Sequence, residues 1–171
     1  MTTINGRACV ANGVAVDKVF SNGKQVYGRN YILNSDNYLI GAGKQQDIIG
    51  DISGDILKKL RGKQVTISVY VDYTNARHEV GQYGRVGIEF TVAYESSPRQ
   101  YLGVWKQTTA GESFSGRISQ TMMFKDEPII STSTQIWVYE QDAFDAVSMG
   151  RPKLEIGTIF TDWTLAPEDV I

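Results

Sequence analysis

The sequence predicts an all-β protein, built as an antiparallel sandwich or barrel. Several segments alternate apolar and polar residues with a period of two, which is the side-chain spacing of a β-strand. Turn-forming residues, such as Ser96-Ser97-Pro98, separate these segments at short intervals. Repeated short strands bounded by turns favour packed antiparallel sheets over helical layers.

Composition limits the function classes. The chain has 171 residues, of which 42% are apolar and 21% charged, and this suits one ordinary soluble domain. Its 17 basic and 19 acidic residues give a net charge of −2, so nothing indicates nucleic acid or an anionic membrane as a partner. The start lacks the basic and apolar regions of a signal peptide, and we expect synthesis in the cytoplasm without one.

Cysteine and histidine each occur once. A single cysteine, Cys9, excludes an internal disulfide framework, and a single histidine, His78, removes most histidine-based metal and triad chemistry. We interpret His78 as a polar loop residue.

Residues 1–28 predict a hairpin-like N-terminal extension or connector. Asn22-Gly23 lies between two short apolar-alternating runs, which is the strongest short-range hairpin signal, and Asn12-Gly13 marks another turn. So few residues cannot bury a core alone. We expect this segment to pack on the main domain (29–171), to pair with another chain, or to connect.

The main domain is predicted to contain about eight strands and one short helix near Ser53–Leu60, with polar loops at Tyr73–Tyr83 and Asp142–Gly150. The strands are expected at Tyr31–Leu33, Tyr38–Ile40, Val65–Val71, Val86–Tyr94, Tyr101–Gln107, Ser119–Phe124, Gln135–Gln141 and Lys153–Ile156.

The seventh predicted strand has an unusual outward face. Alternation places Gln135, Trp137, Tyr139 and Gln141 together, where an ordinary strand carries small polar or charged side chains. Aromatic rings flanked by amides suit saccharide recognition, because a ring covers the apolar face of a sugar and amides bind its hydroxyls. Alternatively, Trp137 and Tyr139 lie under a loop or in a subunit contact.

The end of the chain carries its most specific motif, which runs Lys153-Leu154-Glu155-Ile156-Gly157, then Thr161-Asp162-Trp163, then Ala166-Pro167-Glu168-Asp169. It resembles the end of carbohydrate-binding-module-like jelly-roll domains in tail and baseplate proteins of phages that infect Gram-positive bacteria. The segment from Val16 to Asn30 resembles a lead-in that precedes such domains. The variable middle gives no residue-level match.

This resemblance implies a jelly-roll β-sandwich in residues 29–171 and a location in the virion, on the phage tail. It implies two kinds of partner, a cell-wall polysaccharide or other saccharide of the host and other tail or baseplate proteins. It is compatible with a homo-oligomer such as a trimer, although no heptad repeat specifies one.

A jelly roll usually places its second, seventh, fourth and fifth strands in one sheet. In that arrangement the outward side chains form one aromatic and polar surface, the expected ligand-binding site: Trp137, Tyr139, Gln135, Trp105, Tyr101, Gln107, Glu89 and Thr91. Glu89 is expected either to orient ligand hydroxyls or to be an ordinary solvated charge. Tyr70 and Arg117 are expected on the other sheet or its edge.

No catalytic residue, metal or cofactor is predicted. A glycosidase needs two carboxylates that face each other across a sugar, whereas Glu89 and Glu140 fall on opposite faces of their strands. The side-chain oxygens of Asn34, Asp36 and Asn37 suit calcium, but a turn explains these residues equally well. Two functions therefore stay open: a non-catalytic carbohydrate-binding module, or a structural virion assembly module without sugar binding.

The role of Trp163 also has two interpretations. We expect this side chain to fold back and cover an end of the sandwich, and the alternative is contact with a ligand. Leu154 and Ile156 are expected in the core of the last strand.

Overall fold

The computed structural model describes residues 9–36, 38–40, 52–77, 84–138 and 144–170, with side chains described in these ranges except at 38–40 and 134–138. Predicted features at His78, Asn37 and 139–143 lie outside the described residues.

Two β-hairpins open the described chain. Strand β1 (Val10–Ala11) pairs with β2 (Val14–Ala15), and β3 (Lys18–Ser21) pairs with β4 (Lys24–Gly28). The turn between β3 and β4 has φ of 49° at Asn22 and 75° at Gly23, and positive φ at both positions defines the turn that matches the twist of a hairpin. The predicted hairpin extension is confirmed.

Seven further strands and one short helix follow in the described residues. They are β5 (Tyr38–Ile40), α1 (Gly54–Leu60), β6 (Gln64–Thr74), β7 (Gly84–Tyr94), β8 (Gln100–Thr108), β9 (Phe114–Met123), β10 (Ile129–Val138) and β11 (Ala146–Ile156). All pairings are antiparallel, and they form one sheet in the order β5-β11-β6-β9 and another in the order β10-β7-β8.

The two sheets enclose one hydrophobic core. Alternate residues of β6 (Val65, Ile67, Val69, Val71) and of β7 (Val86, Ile88, Phe90, Val92) are fully buried in the same cluster. Each such side chain contributes about 1.5–3 kcal/mol relative to an exposed one. Helix α1 adds Ile56, Leu57 and Leu60 to this core. The predicted β-sandwich and the predicted short helix are both confirmed.

Three predicted boundaries are wrong: β9 begins at Phe114 and not at Ser119, β10 begins at Ile129 and not at Gln135, and β6 ends at Thr74, inside the loop predicted from Tyr73.

Three further details of the predicted strands are wrong. Tyr31–Leu33 is not a strand, because only Leu33 forms an isolated bridge, although the Tyr31 amide donates to the Leu154 carbonyl at 3.0 Å. Tyr38–Ile40 pairs with β11 in the four-stranded sheet and not with the seventh predicted strand. Residues 146–150, predicted as part of a loop, belong to β11.

A bulge explains the error in β11. The pairing of β11 with β6 shifts between Gly150 and Lys153, where Arg151 has φ of 50°. Before this shift Val147 and Met149 are buried, and after it Leu154 is buried. The inward-facing core residues therefore have odd numbers before the bulge and even numbers after it. No single period-two pattern describes the whole strand.

The terminal motif folds into a buried polar cluster. The Lys153 ammonium donates to Thr161 Oγ1 at 2.8 Å and to the Asp162 carbonyl at 2.7 Å. Glu155 accepts from the Thr161 amide at 2.9 Å and from its hydroxyl at 2.6 Å, and lies 3.4 Å from Lys153. Lys153 and Glu155 are both fully buried, so this pairing offsets the cost of desolvating two charges.

The lead-in segment is joined to the same cluster. The Gly28 amide donates to Thr161 Oγ1 at 3.0 Å, and Asn30 Nδ2 donates to the Thr164 carbonyl at 2.9 Å. Arg29 forms ion pairs with Asp17 and Glu168. The two segments that carry the sequence resemblance therefore contact each other directly. We call the contacts of residues 28–30 with 153–155 and 161–168 the terminal clasp.

Candidate functional site

The predicted neighbour relation of the three candidate strands is confirmed. Strand β7 lies between β8 and β10, which the sequence placed as the fourth, fifth and seventh strands. The inward residues of β7 are buried, so its other residues belong to the outer face of the three-stranded sheet. Strands β8 and β10 lie about 10 Å apart across β7 at ordinary strand spacing.

Residues that lie opposite each other on neighbouring antiparallel strands share a face of the sheet. The pairing therefore defines rows on the outer face: Ser133, Thr91 and Tyr101; Gln135, Glu89 and Gly103; Trp137, Gly87 and Trp105; and Arg85 beside Gln107. Seven of the predicted site residues occupy these rows. The eighth, Tyr139, lies outside the described residues.

Trp105 is the best-defined aromatic residue of this outer face. Its indole nitrogen fills the space that a Cβ at Gly103 would occupy, and its Cε3 lies 3.1 Å from an ideal Cβ at Gly87. The guanidinium of Arg85 lies over the ring, with Cζ 4.6 Å from the ring centroid, in cation–π contact. Arg85 thus covers part of the half-buried indole, and a sugar that stacks on that part must displace the guanidinium.

Three other predicted residues offer polar groups to solvent. Tyr101 is 63% exposed, Gln107 is exposed and Glu89 is half-buried. The side chains of these three residues make no hydrogen bond or ion pair with other residues in the described ranges. A carboxylate, an amide and a phenol are therefore available on this face to bind hydroxyl groups.

The remaining predicted residues are less accessible or less defined. Thr91 is only 7% exposed, so it does not offer a surface contact, because Tyr101 and Ser133 lie on either side of it. Gln135 and Trp137 belong to strand β10, and the structure describes their backbone but not their side chains.

Sequence reasoning missed three residues of this surface: Arg85, Gly87 and Gly103. The alternation that placed Glu89 outward also placed Arg85 and Gly87 outward, and that of Trp105 placed Gly103 there. Small residues beside a tryptophan on one face are a readable signal, because they leave room for the ring.

The opposite sheet holds Tyr70 and Arg117, as predicted. The Tyr70 hydroxyl is 2.7 Å from Ser115 Oγ, and Arg117 Nε donates to Ser68 Oγ at 3.0 Å. These contacts lie within the outer surface of the four-stranded sheet.

The described ranges give little support for a metal site, for a pair of catalytic carboxylates or for a membrane-spanning helix. They hold no group of three or more His, Cys, Asp or Glu side chains placed to bind a metal ion. Across β7, β8 and β10, Glu89 is the only carboxylate residue. The helix in the described part of the chain is too short to cross a membrane.

No protein-family profile and no curated protein matches the chain. Among solved structures, the chain is similar to the CBM22-2 xylan-binding domain of Paenibacillus barcinonensis Xyn10C, with 10% identity over 71% of this chain and 92% of that one, at a TM-score of 0.41.

Two further structures show likenesses at TM-scores of 0.38. The CBM22-1 xylan-binding domain of the same Paenibacillus barcinonensis protein is 12% identical, over 77% of this chain and 94% of that one. The CBM22-1 and GH10 modules of Clostridium thermocellum xylanase 10B, complexed with xylohexaose, are 13% identical over 78% of this chain. This chain spans 29% of the length of that protein. TM-scores this low establish neither a family nor a ligand.

Proposed function

We propose that this chain is a non-catalytic carbohydrate-binding module of a phage tail or baseplate, which adheres to cell-wall saccharide of the host. The observation that carries the proposal is the strand register, which brings Trp105, Trp137 and Glu89 onto one sheet although the sequence separates them widely. The binding surface is the outer face of the three-stranded sheet.

The chemistry of that face supports saccharide binding. Tyr101 presents an exposed aromatic ring, while Glu89 and Gln107 present groups that accept or donate hydrogen bonds. A stacked ring contributes about 0.5–1.5 kcal/mol beyond its buried area, so a single site binds weakly. Many copies on one particle raise the overall avidity.

The same face supports a non-catalytic role. Hydrolysis of a glycosidic bond by the common mechanism uses two carboxylates on either side of the bond. Glu89 is the only Asp or Glu residue in β7, β8 and β10, and it therefore has no second carboxylate in these three strands.

The phage context rests on the sequence resemblance. The lead-in and the closing motif, which carry this resemblance, contact each other in the terminal clasp. A virion location and contact with other tail or baseplate proteins belong to this proposal.

A double variant tests the binding face. Trp105→Ala with Trp137→Ala is expected to abolish binding to a saccharide array and to whole Gram-positive cells, while the far-ultraviolet circular dichroism stays that of the parent. Tyr70→Ala, which removes an aromatic residue from the opposite sheet, is the matched control and is expected to bind normally. A folded double variant that binds as well as the parent would refute the proposed face.

A structural assembly module without sugar binding is the second candidate. The exposed ring of Tyr101 on the same outer face favours it, because aromatic side chains are enriched in subunit contacts. Fluorescence quenching at increasing protein concentration separates the two functions, measured in a Trp163→Phe variant so that only Trp105 and Trp137 emit. Protection of both rings on association supports assembly, and continued accessibility supports saccharide binding.

A further inference from the structure

A groove separates the β3–β4 hairpin from the closing segment of the chain. Its volume is about 730 Å³. On the hairpin side it is lined by Phe20, Lys24 and Val26, and on the other side by Ile159, Phe160 and Asp162. We call it the hairpin groove. It is independent of the outer face of the three-stranded sheet, because it shares no residue with β7, β8 or β10.

Both walls of the hairpin groove expose large apolar side chains. Phe20 is 59% exposed, Ile159 52% and Phe160 43%. Single exposed apolar residues are common on soluble proteins, whereas a contiguous group marks an interaction surface.

The hairpin groove contains charged side chains of both signs that form no ion pair within the described part of the chain. Lys24 and Asp162 are both exposed, and neither forms an ion pair with another residue in the described ranges. In a twofold-symmetric contact, each residue pair occurs twice, so the same surface must carry both members of the pair. The hairpin groove meets this requirement, since one wall contributes the cation and the other the anion.

We propose that two copies of this chain associate through their hairpin grooves around a twofold axis. The apolar walls, Phe20 of one copy against Ile159 and Phe160 of the other, form the centre of the contact. Lys24 of each copy pairs with Asp162 of its neighbour at the rim. Such rim pairs set orientation and salt dependence, while the apolar centre supplies most of the affinity.

Sedimentation velocity of the full chain over a wide concentration range tests this contact. The parent is expected to form a dimer. Phe20→Glu places a charge at the apolar centre and is expected to weaken dimerisation by about tenfold or more. Ile130→Glu is the matched control, because Ile130 is 63% exposed but lies in β10, away from the groove, and this variant is expected to dimerise like the parent.

A charge exchange tests the orientation. Lys24→Asp alone and Asp162→Lys alone are each expected to weaken the dimer, because each places like charges opposite one another. The double variant, Lys24→Asp with Asp162→Lys, is expected to recover the parent affinity. A parent that stays monomeric, a different stoichiometry, or a dimer that Phe20→Glu leaves intact would each overturn the proposal.

Discussion

The indole nitrogen of Trp105 lies where the side chain of residue 103 would begin, and only the glycine at that position leaves the space open. The two residues belong to the same face of β8, two positions apart. The ring therefore reaches back along its own strand, and Arg85 of the neighbouring strand lies over it. The orientation of the Trp105 ring therefore depends on the lack of a side chain at Gly103 and on the guanidinium of Arg85.

Gly103→Ala is expected to displace the Trp105 ring, because the new methyl group overlaps the indole nitrogen. Overpacking of this kind costs about 1–3 kcal/mol of stability. We expect a changed near-ultraviolet circular dichroism spectrum and weaker binding to the saccharide array. Gly54→Ala is the control, since a Cβ there meets no atom within 4 Å. A Gly103→Ala variant with the parent spectrum and the parent affinity would contradict this account.

The buried face of a strand could be predicted from the sequence where the same alternation of inward and outward residues continues along the whole strand. Alternation of Val86, Ile88, Phe90 and Val92 correctly assigned the buried face of β7, and hence the outward position of Glu89. Strand β11 was not readable in the same way, because the bulge at Arg151 reverses its inward parity. The pairing of Tyr38–Ile40 with β11 is a long-range contact that no local pattern encodes.

The candidate site was predictable as a face but not as a set of contacts. Parity and strand order together placed Trp105, Glu89 and Tyr101 on one surface. Parity alone does not show how a ring lies on that surface, so the contact of Arg85 with Trp105 was missed. It also does not show that Thr91, between two occupied neighbours, is buried.

Glu155→Ala is expected to lower the free energy of unfolding by about 3–5 kcal/mol, because it leaves the buried Lys153 ammonium without its counter-ion. The Thr161 amide and hydroxyl also lose their acceptor. Urea unfolding measures the change. Asp55→Ala removes an exposed ion pair with Lys58 and is expected to leave the urea midpoint unchanged. An unchanged midpoint for Glu155→Ala would show that the buried contacts of Glu155 with Lys153 and Thr161 do not stabilise the fold.

Trp163→Ala separates a structural role from ligand contact at this residue. The indole donates to Ser35 Oγ at 3.2 Å, and the guanidinium of Arg151 lies 5.0 Å from the ring centroid. Loss of both contacts is expected to cost about 2 kcal/mol of stability. Saccharide binding measured well below the unfolding temperature is expected to stay at the parent level. Reduced binding by a folded Trp163→Ala variant would instead place this residue in the ligand site.

The buried ammonium of Lys153 also predicts a pH dependence of stability. Burial lowers its pKa from 10.5 to about 8, and the attraction of Glu155 opposes this change only in part. Between these two values the unfolded chain holds a proton that the folded chain has released. The free energy of unfolding therefore rises with pH across this window, by up to about 1.4 kcal/mol per pH unit.

Burial raises the pKa of Tyr27 and of Tyr31, and this acts in the opposite direction at higher pH. An unfolded tyrosine ionises near pH 10 while the folded one stays protonated, so both residues reduce stability above about pH 10. Urea unfolding should therefore be measured from about pH 8 to 9.5, below the tyrosine range. We expect the parent to gain stability over this interval relative to Lys153→Met, which has no ammonium to titrate. Equal slopes for the two proteins would show that Lys153 keeps its proton in the folded chain.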